Sequence, residues 1–257
     1  MMGCVRIAAV SYLNTIPFVY GIKHADIDLR AELLLDIPAI CAENILKGKA
    51  DVALIPAAEV PKIENAEIVT DYCIASDGVV RTVTLLSNVP VRQVRRIWLD
   101  SHSRTSVQLV RILAAEYWKI APEWKAIEDF AAIDIASETD GYLLIGDKVF
   151  DYEDKFRYNT DLAAAWKSYT SLPFVFAVWV AKNKVDREVI NRLNTVLAFG
   201  VAHKEDAVKE SRYAGKFQDS LKYLTENIKF TFDADKRKAL ILFLQKIAAV
   251  AENASPG

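Results

Sequence analysis

The sequence predicts two α/β lobes with a cleft between them, on three observations. Residues 5–56 alternate strand-like and helix-like segments in a β-α-β-α-β spacing, which calls for a parallel sheet with right-handed crossovers. A second set of such segments begins after Ser87-Asn88-Val89-Pro90. The strongly β-prone run Pro173–Val180 then leads back. Lobe 1 is therefore expected to hold residues 1–87 and 181–257, and lobe 2 residues 88–180.

Ile7-Ala8-Ala9-Val10 reads as the first strand and runs into Ser11-Tyr12-Leu13-Asn14-Thr15, a polar loop. Pro17 suits the first turn of the helix that follows, where its missing N–H costs nothing. Leu29–Leu35 is a second strand. Pro38 and Gly48 bracket a helix over Ala39–Lys47. Asp51-Val-Ala-Leu-Ile-Pro56 is apolar after its first residue, the mark of a strand buried on both faces. Glu67–Ala75 and Val79–Leu86 are β-rich runs around Ser76-Asp77-Gly78.

In the second lobe Val94–Leu99 is a strand, and Asp100–Ser106 is polar. A helix reaching about Trp118 carries Val107, Val110, Leu113, Ala114 and Tyr117 at helical spacing. Tyr142–Ile145 is a strand ending in Gly146-Asp147, and Asp161–Tyr169 a helix. Asp186 is placed to cap a helix carrying Val189, Leu193, Val196 and Leu197. A last helix carries Leu240, Phe243, Leu244, Ile247 and Ala251.

The chain has 257 residues and is 52 % hydrophobic, enough for a sizeable core and too apolar for disorder. A formal net charge of −2 argues against a general nucleic-acid binder. No apolar run is long enough to span a membrane, and the N-terminus lacks a signal peptide's apolar segment, so a cytoplasmic location is expected. Cys4, Cys41 and Cys73 lie far apart, form no CxxC, and are expected as buried thiols. His24, His102 and His203 are too scattered for a metal site.

Four polar clusters would face one cleft: Ser11–Thr15, Asp77–Thr82, Ser103–Ser106 and Gly146-Asp147. Ser103, Arg104, Thr105 and Ser106 at a helix N-terminus make an anion site, since hydroxyls and an arginine stand beside unpaired N–H groups. The alternative is plain capping by Ser103 or Thr105. Arg81 and Thr82 on a strand read first as sheet surface, Asp147 also as a cap of the next helix, and Glu59 as facing either cleft or water. GxGxxG, the P-loop, HExxH and GxSxG are all absent from the sequence. These residues describe a protein gripping a small anion and do not separate binding from catalysis.

The segments Val10–Phe18, Asp51–Pro56 with Glu59, Ser76–Val83, Leu99–Val107, and Asp161–Trp166 through Thr170–Trp179 occur in one order that resembles the chorismate dehydratases of the futalosine route to menaquinone. The resemblance spans about residues 5–182, and two departures stand out. Gly78-Val79-Val80 with Thr82 replaces a common Gly-Pro-Val followed by serine. Thr170-Ser171-Leu172-Pro173 replaces Thr-Gly-Leu-Pro. The sister dihydroxynaphthoate synthases share the fold, but their first loop resembles Ser-Pro-Cys-Pro-Asn-Asp, unlike Ser11-Tyr12-Leu13-Asn14.

The resemblance implies a type II periplasmic-binding-protein-like fold that dehydrates chorismate without metal or organic cofactor. It implies that Asn14 and Thr82 bond the substrate near the reacting carbons or at its enolpyruvyl carboxylate. Ser103, Thr105 and Ser106 hold a carboxylate, Ser11 supports the first loop, and Arg81, Arg104 and Asp147 are further substrate contacts. Glu59 and the substrate's own enolpyruvyl carboxylate are the two candidates for the base, the substrate being favoured. A non-catalytic anion-binding or sensor protein of the same fold is the alternative.

Overall fold

The computed structural model describes residues 4–100 and 103–254. The chain opens with β1 (Val5–Val10), α1 (Ile16–His24), β2 (Ala31–Asp36), α2 (Pro38–Leu46), β3 (Val52–Pro56) and β4 (Glu67–Ser76). It continues with β5 (Val83–Ser87), β6 (Arg96–Asp100), α3 (Thr105–Ile112), β7 (Glu123–Ile127), β8 (Asp140–Ile145), β9 (Tyr158–Asp161) and α4 (Leu162–Thr170). Then come β10 (Phe174–Ala181), α5 (Arg187–Ala202), α6 (Lys204–Lys209), α7 (Phe217–Lys222), β11 (Lys229–Thr231) and α8 (Ala234–Ala254). Two compact units result: residues 1–75 with 175–234, and residues 76–174 with 235–257.

The first unit is built on a six-stranded sheet in the order β11-β4-β10-β3-β1-β2. β1 runs parallel to both β2 and β3, as the β-α-β-α-β spacing predicts. Every residue of β3 is buried, because it lies inside the sheet between β1 and the antiparallel β10. Phe18 of α1 is wholly buried and meets the rings of Trp179 and Phe230 edge-on, at centroid distances of 5.8 and 5.3 Å. α1 and α5 touch through Gly21 and Gly200. A Cβ on Gly21 would lie 1.9 Å from the Val196 carbonyl oxygen, so the two backbones meet with no room for a side chain.

The second unit has a five-stranded sheet in the order β7-β6-β8-β5-β9. One face carries a core of Leu86, Ile127, Tyr142, Leu144, Val149 and Phe156. α4 begins at Asp161, whose carboxylate accepts from the Ala163 and Ala164 amides, and ends at Ser171, which adopts a left-handed φ of 63°. Trp166 of this helix packs edge-on against Phe243 of α8, 6.0 Å between centroids, and Phe174 meets the same Phe243 at 4.9 Å. Lys246 of α8 pairs with Glu116 and contacts the Tyr169 hydroxyl at 3.0 Å.

These contacts explain where the units differ from the sequence expectation. Residues 235–257 belong to the second unit because Phe243 and Lys246 find their partners there. A helical stripe states that a face is buried and not against what. The first division falls before Ser76 instead of after Ser87, since β5 pairs with β8 and β9. The strand expected from Val79 begins only at Val83. Arg81, with φ 69°, breaks the extended backbone ahead of it. β7, β9 and β11 are short strands that sequence reading missed.

None of the cysteines forms a disulfide. Cys41 and Cys73 are buried as expected, while Cys4 is exposed. Burial pushes the Cys41 thiol up to about 12, so it is inert at neutral pH. Among the described residues no helix is long and apolar enough to cross a membrane.

Candidate ligand-binding site

In the first unit the candidate groups gather at the carboxyl ends of parallel strands, where open α/β sheets bind ligands. Ile7 and Ala8 of β1 stand opposite Val52 and Ala53 of β3, so the loop after Val10 and the turn after Pro56 leave the sheet at the same end. Leu13–Thr15 forms a single 3-10 turn that runs straight into α1. Thr15 is fully buried, and its hydroxyl donates to Asn14 Oδ1 at 3.0 Å. That bond orients the half-buried Asn14 amide, and among the described residues no acceptor takes its Nδ2 hydrogens.

Ser11 is held through its backbone. Its N–H donates to the Asp36 carbonyl at 3.0 Å, and its carbonyl accepts from Arg212 Nη2 at 2.8 Å. Arg212 lies far along the chain, and no sequence motif connects it to this loop. Glu59 sits in the 3-10 turn Ala57–Lys62 with a side chain only 11 % exposed, and accepts from Lys62 Nζ at 2.8 Å.

In the second unit the register brings several candidates to one end of the sheet. Val83 opens β5 opposite Ile145, the last residue of β8. β6 runs parallel to β8 with Leu99 opposite Leu143, so β6 ends on the same side. Asp161 closes β9 beside Thr84. Thr82, Ser103–Ser106, Gly146-Asp147 and the start of α4 therefore share an edge. Ser101 and His102 of the polar loop lie outside the described residues.

Ser103, Thr105 and Ser106 are buried, and Arg104 is exposed. Arg104, not Ser103 or Thr105, occupies the cap position of α3, and its side chain makes no capping bond. Ser103 and Thr105 flank that position on either side, and the first amides of a helix carry the partial positive charge that suits an anion. Asp100, fully buried, pairs with Lys148 Nζ at 2.6 Å and fastens the end of β6 to the turn after β8. The half-buried Asp147 stands in the first 3-10 turn beyond Ile145, where it is not the cap residue.

The Arg81 loop is organised by a residue that sequence reading placed only as a helix start. Asp161 Oδ2 accepts from the Val80 and Arg81 amides at 3.0 and 2.7 Å, while Oδ1 accepts from the α4 amides of Ala163 and Ala164 at 3.0 and 2.9 Å. Burial pushes the Asp161 carboxyl up from its ordinary range, and the four N–H groups pull the other way. Arg81 is left-handed, a conformation costing a non-glycine residue about 1–2 kcal/mol.

The Arg81 guanidinium is already engaged: it donates to Glu153 Oε1 at 2.9 Å and lies over the Phe150 ring, 4.9 Å from its centroid. Neither an open strand surface nor an unoccupied anion receptor describes it. Thr82 is buried at 3 % exposure, and its carbonyl accepts from the Gly146 amide at 2.9 Å.

These are hydrogen-bond donors, amides and a few charges fixed on strand ends. Among the described residues no group of three or more His, Cys, Asp or Glu side chains could hold a metal ion. Such an arrangement suits holding carboxylates and stabilising developing negative charge.

The chain matches the family described as menaquinone biosynthesis over residues 5–249. It is 25 % identical to a chorismate dehydratase of Thermus thermophilus, an alignment covering 90 % of this chain and 95 % of that one. In structure it is similar to a protein of Archaeoglobus fulgidus, with a TM-score of 0.73, 15 % identity and 97 % of each chain covered. It is also similar to a Candida albicans gene product described as having the generic periplasmic binding protein fold. There the TM-score is 0.69 at 11 % identity, covering all of this chain and 92 % of the other.

Proposed function

This chain belongs to the menaquinone biosynthesis family, and from that premise we propose that it is a chorismate dehydratase. In this reading it is a cytoplasmic carbon–oxygen lyase of the futalosine route that converts chorismate to 3-[(1-carboxyvinyl)oxy]benzoate and water. The observation that carries the reading is the position of Thr82 at the same sheet edge as the α3 start, whose cap residue Arg104 makes no side-chain capping bond. The similarity to a relative of that name supports the choice of reaction.

The chemistry asks little of acids and bases. The ring C–H at the carbon bearing the enolpyruvyl ether is allylic and vinylogous to the ring carboxylate. Its proton goes to the base, and the electron pair spreads toward that carboxylate. Hydroxide departs from the neighbouring carbon, taking up a proton to leave as water, and the ring becomes aromatic. The protein holds two carboxylates, stabilises charge as it grows and steers the hydroxyl out.

In this proposal the Asn14 Nδ2 hydrogens and the Thr82 hydroxyl bond the substrate near the reacting carbons or at its enolpyruvyl carboxylate. Ser103, Thr105, Ser106 and the first α3 amides hold a carboxylate, with Arg104 and Asp147 beside them. Ser11 supports the first loop. Arg81 contributes as far as its pairing with Glu153 allows. The substrate's enolpyruvyl carboxylate is the base, since Glu59 already accepts from Lys62.

Incubation with chorismate, followed by absorbance and mass, tests the reading. Appearance of an aromatic product lighter than chorismate by one water is the expected result. Saturable binding without turnover would place the protein instead among non-catalytic anion binders of this fold.

A further inference from the structure

We propose that Asp161 is a positioning residue of the dehydration: its second carboxylate oxygen holds the Val80–Arg81 backbone so that Thr82 meets the substrate correctly. The proposal rests on the chorismate dehydratase reading. Its basis is a division of labour on one side chain. Oδ1 takes the two α4 amides, an ordinary helix cap, and Oδ2 takes the Val80 and Arg81 amides of a different segment.

A cap needs only the first pair. The second pair joins a loop of unfavourable backbone conformation, Arg81 at φ 69°, to the end of β9. Two successive N–H groups closing on one oxygen form an anion-binding nest, and here a protein carboxylate fills it. Beyond the nest, Thr82 is the next residue, and its carbonyl takes the Gly146 amide at 2.9 Å. Asp161 thereby sets two of the three polar clusters at this sheet edge, those of Thr82 and Gly146. Its own strand pairing, Asp161 opposite Thr84, gives the clamp a rigid base.

The side-chain geometry supplies a variant that separates the two duties. Serine is a good N-cap and too short to reach the loop amides as well, so Asp161→Ser keeps the α4 cap and releases Val80 and Arg81. Asp161→Asn retains one acceptor oxygen and turns an NH2 toward one pair of donors.

The test measures chorismate turnover by wild type, Asp161→Ser and Asp161→Asn, with thermal unfolding and amide hydrogen exchange on each. We expect folded variants with kcat lowered about 100-fold, the loss a misplaced catalytic donor produces, and KM changed far less. Exchange should quicken at Val80 and Arg81 while the α4 amides of Asp161→Ser stay protected. Because glycine adopts a positive φ freely, the loss caused by Asp161→Ser should shrink at least tenfold when it is measured in an Arg81→Gly background.

A folded Asp161→Ser protein with kcat within threefold of wild type overturns the proposal and leaves the dehydratase reading standing. So does a fall in unfolding temperature with kcat unchanged, which is what a cap alone would give. If Asp161→Ser does not fold, Asp161→Asn decides on the same criteria. A wild-type protein that never turns chorismate over removes the reading beneath the proposal, and the proposal with it.

Discussion

Gly200 of α5 lies against the start of α1 so closely that a Cβ on it would come within 1.8 Å of the Pro17 carbonyl oxygen. The obstacle is backbone, so no side chain can rotate away. Gly200→Ala must push the two helices apart, and overpacking of this kind costs about 3 kcal/mol. α1 carries the Asn14 turn at its head, so the same change should shift that turn. Urea unfolding should show the loss, and no loss would mean that the helices separate freely.

Ser171 ends α4 at φ 63°, a left-handed backbone that favours glycine. Its amide still donates to the Lys167 carbonyl at 2.8 Å, so the left-handed bend itself is required. Ser171→Gly should raise stability by about 1 kcal/mol through relief of the steric cost. A higher unfolding midpoint with unchanged denaturant dependence is the expected record.

Asn14→Ala removes an amide that is half-buried and, among the described residues, bonded only to the neighbouring Thr15 hydroxyl. Stability should change by about 1 kcal/mol or less, whereas turnover should fall about 100-fold or more. Normal turnover by the folded variant would make the first loop structural.

Glu59→Gln keeps the shape of a side chain that now accepts from Lys62 at 2.8 Å. With the substrate's own carboxylate as base, turnover should stay within about threefold of wild type. A fall of several orders of magnitude in folded protein would make Glu59 the base.

Glu116 anchors α8 on the second unit. Burial alone would push its carboxyl up, but hydrogen bonds and charge from Lys246 and the Tyr169 hydroxyl bring it below the ordinary range. A carboxyl lowered in the folded state stabilises above its unfolded value, about 4.3, and loses that contribution as pH falls through the lowered folded value. Acid should therefore loosen this triad as pH drops below about 4, and Glu116→Gln should flatten that limb of the stability curve. Equal acid sensitivity in wild type and variant would place the titrating group elsewhere.

Much of the framework could be read from the residues. Asp51–Pro56 announced a buried strand because its apolar run has no alternation, and Pro17, Pro38 and Asp186 marked helix starts through local sterics and capping alone. The polar clusters at Ser11–Thr15 and Ser103–Ser106 were visible because strand, loop and helix start follow each other within a few residues. Ser171 was marked only through the family resemblance, as a place where glycine's freedom is missed, and it adopts φ 63°.

What the residues alone could not express was partnership at a distance. Val83 opposite Ile145 decides that Thr82 and Gly146 share a sheet edge, and register is a property of two strands. Arg81 looks the same in sequence whether its guanidinium is open or taken by Glu153, 72 residues away. Asp161 reads locally as a helix cap, which it is, and only the folded chain brings the Val80 and Arg81 amides to its other oxygen. Local sterics, capping and hydrophobic period act within a few residues and so determine the elements by themselves. Tertiary structure decided which charges are spent on one another and which donors converge, because those bonds form between segments that meet only once the sheets are built.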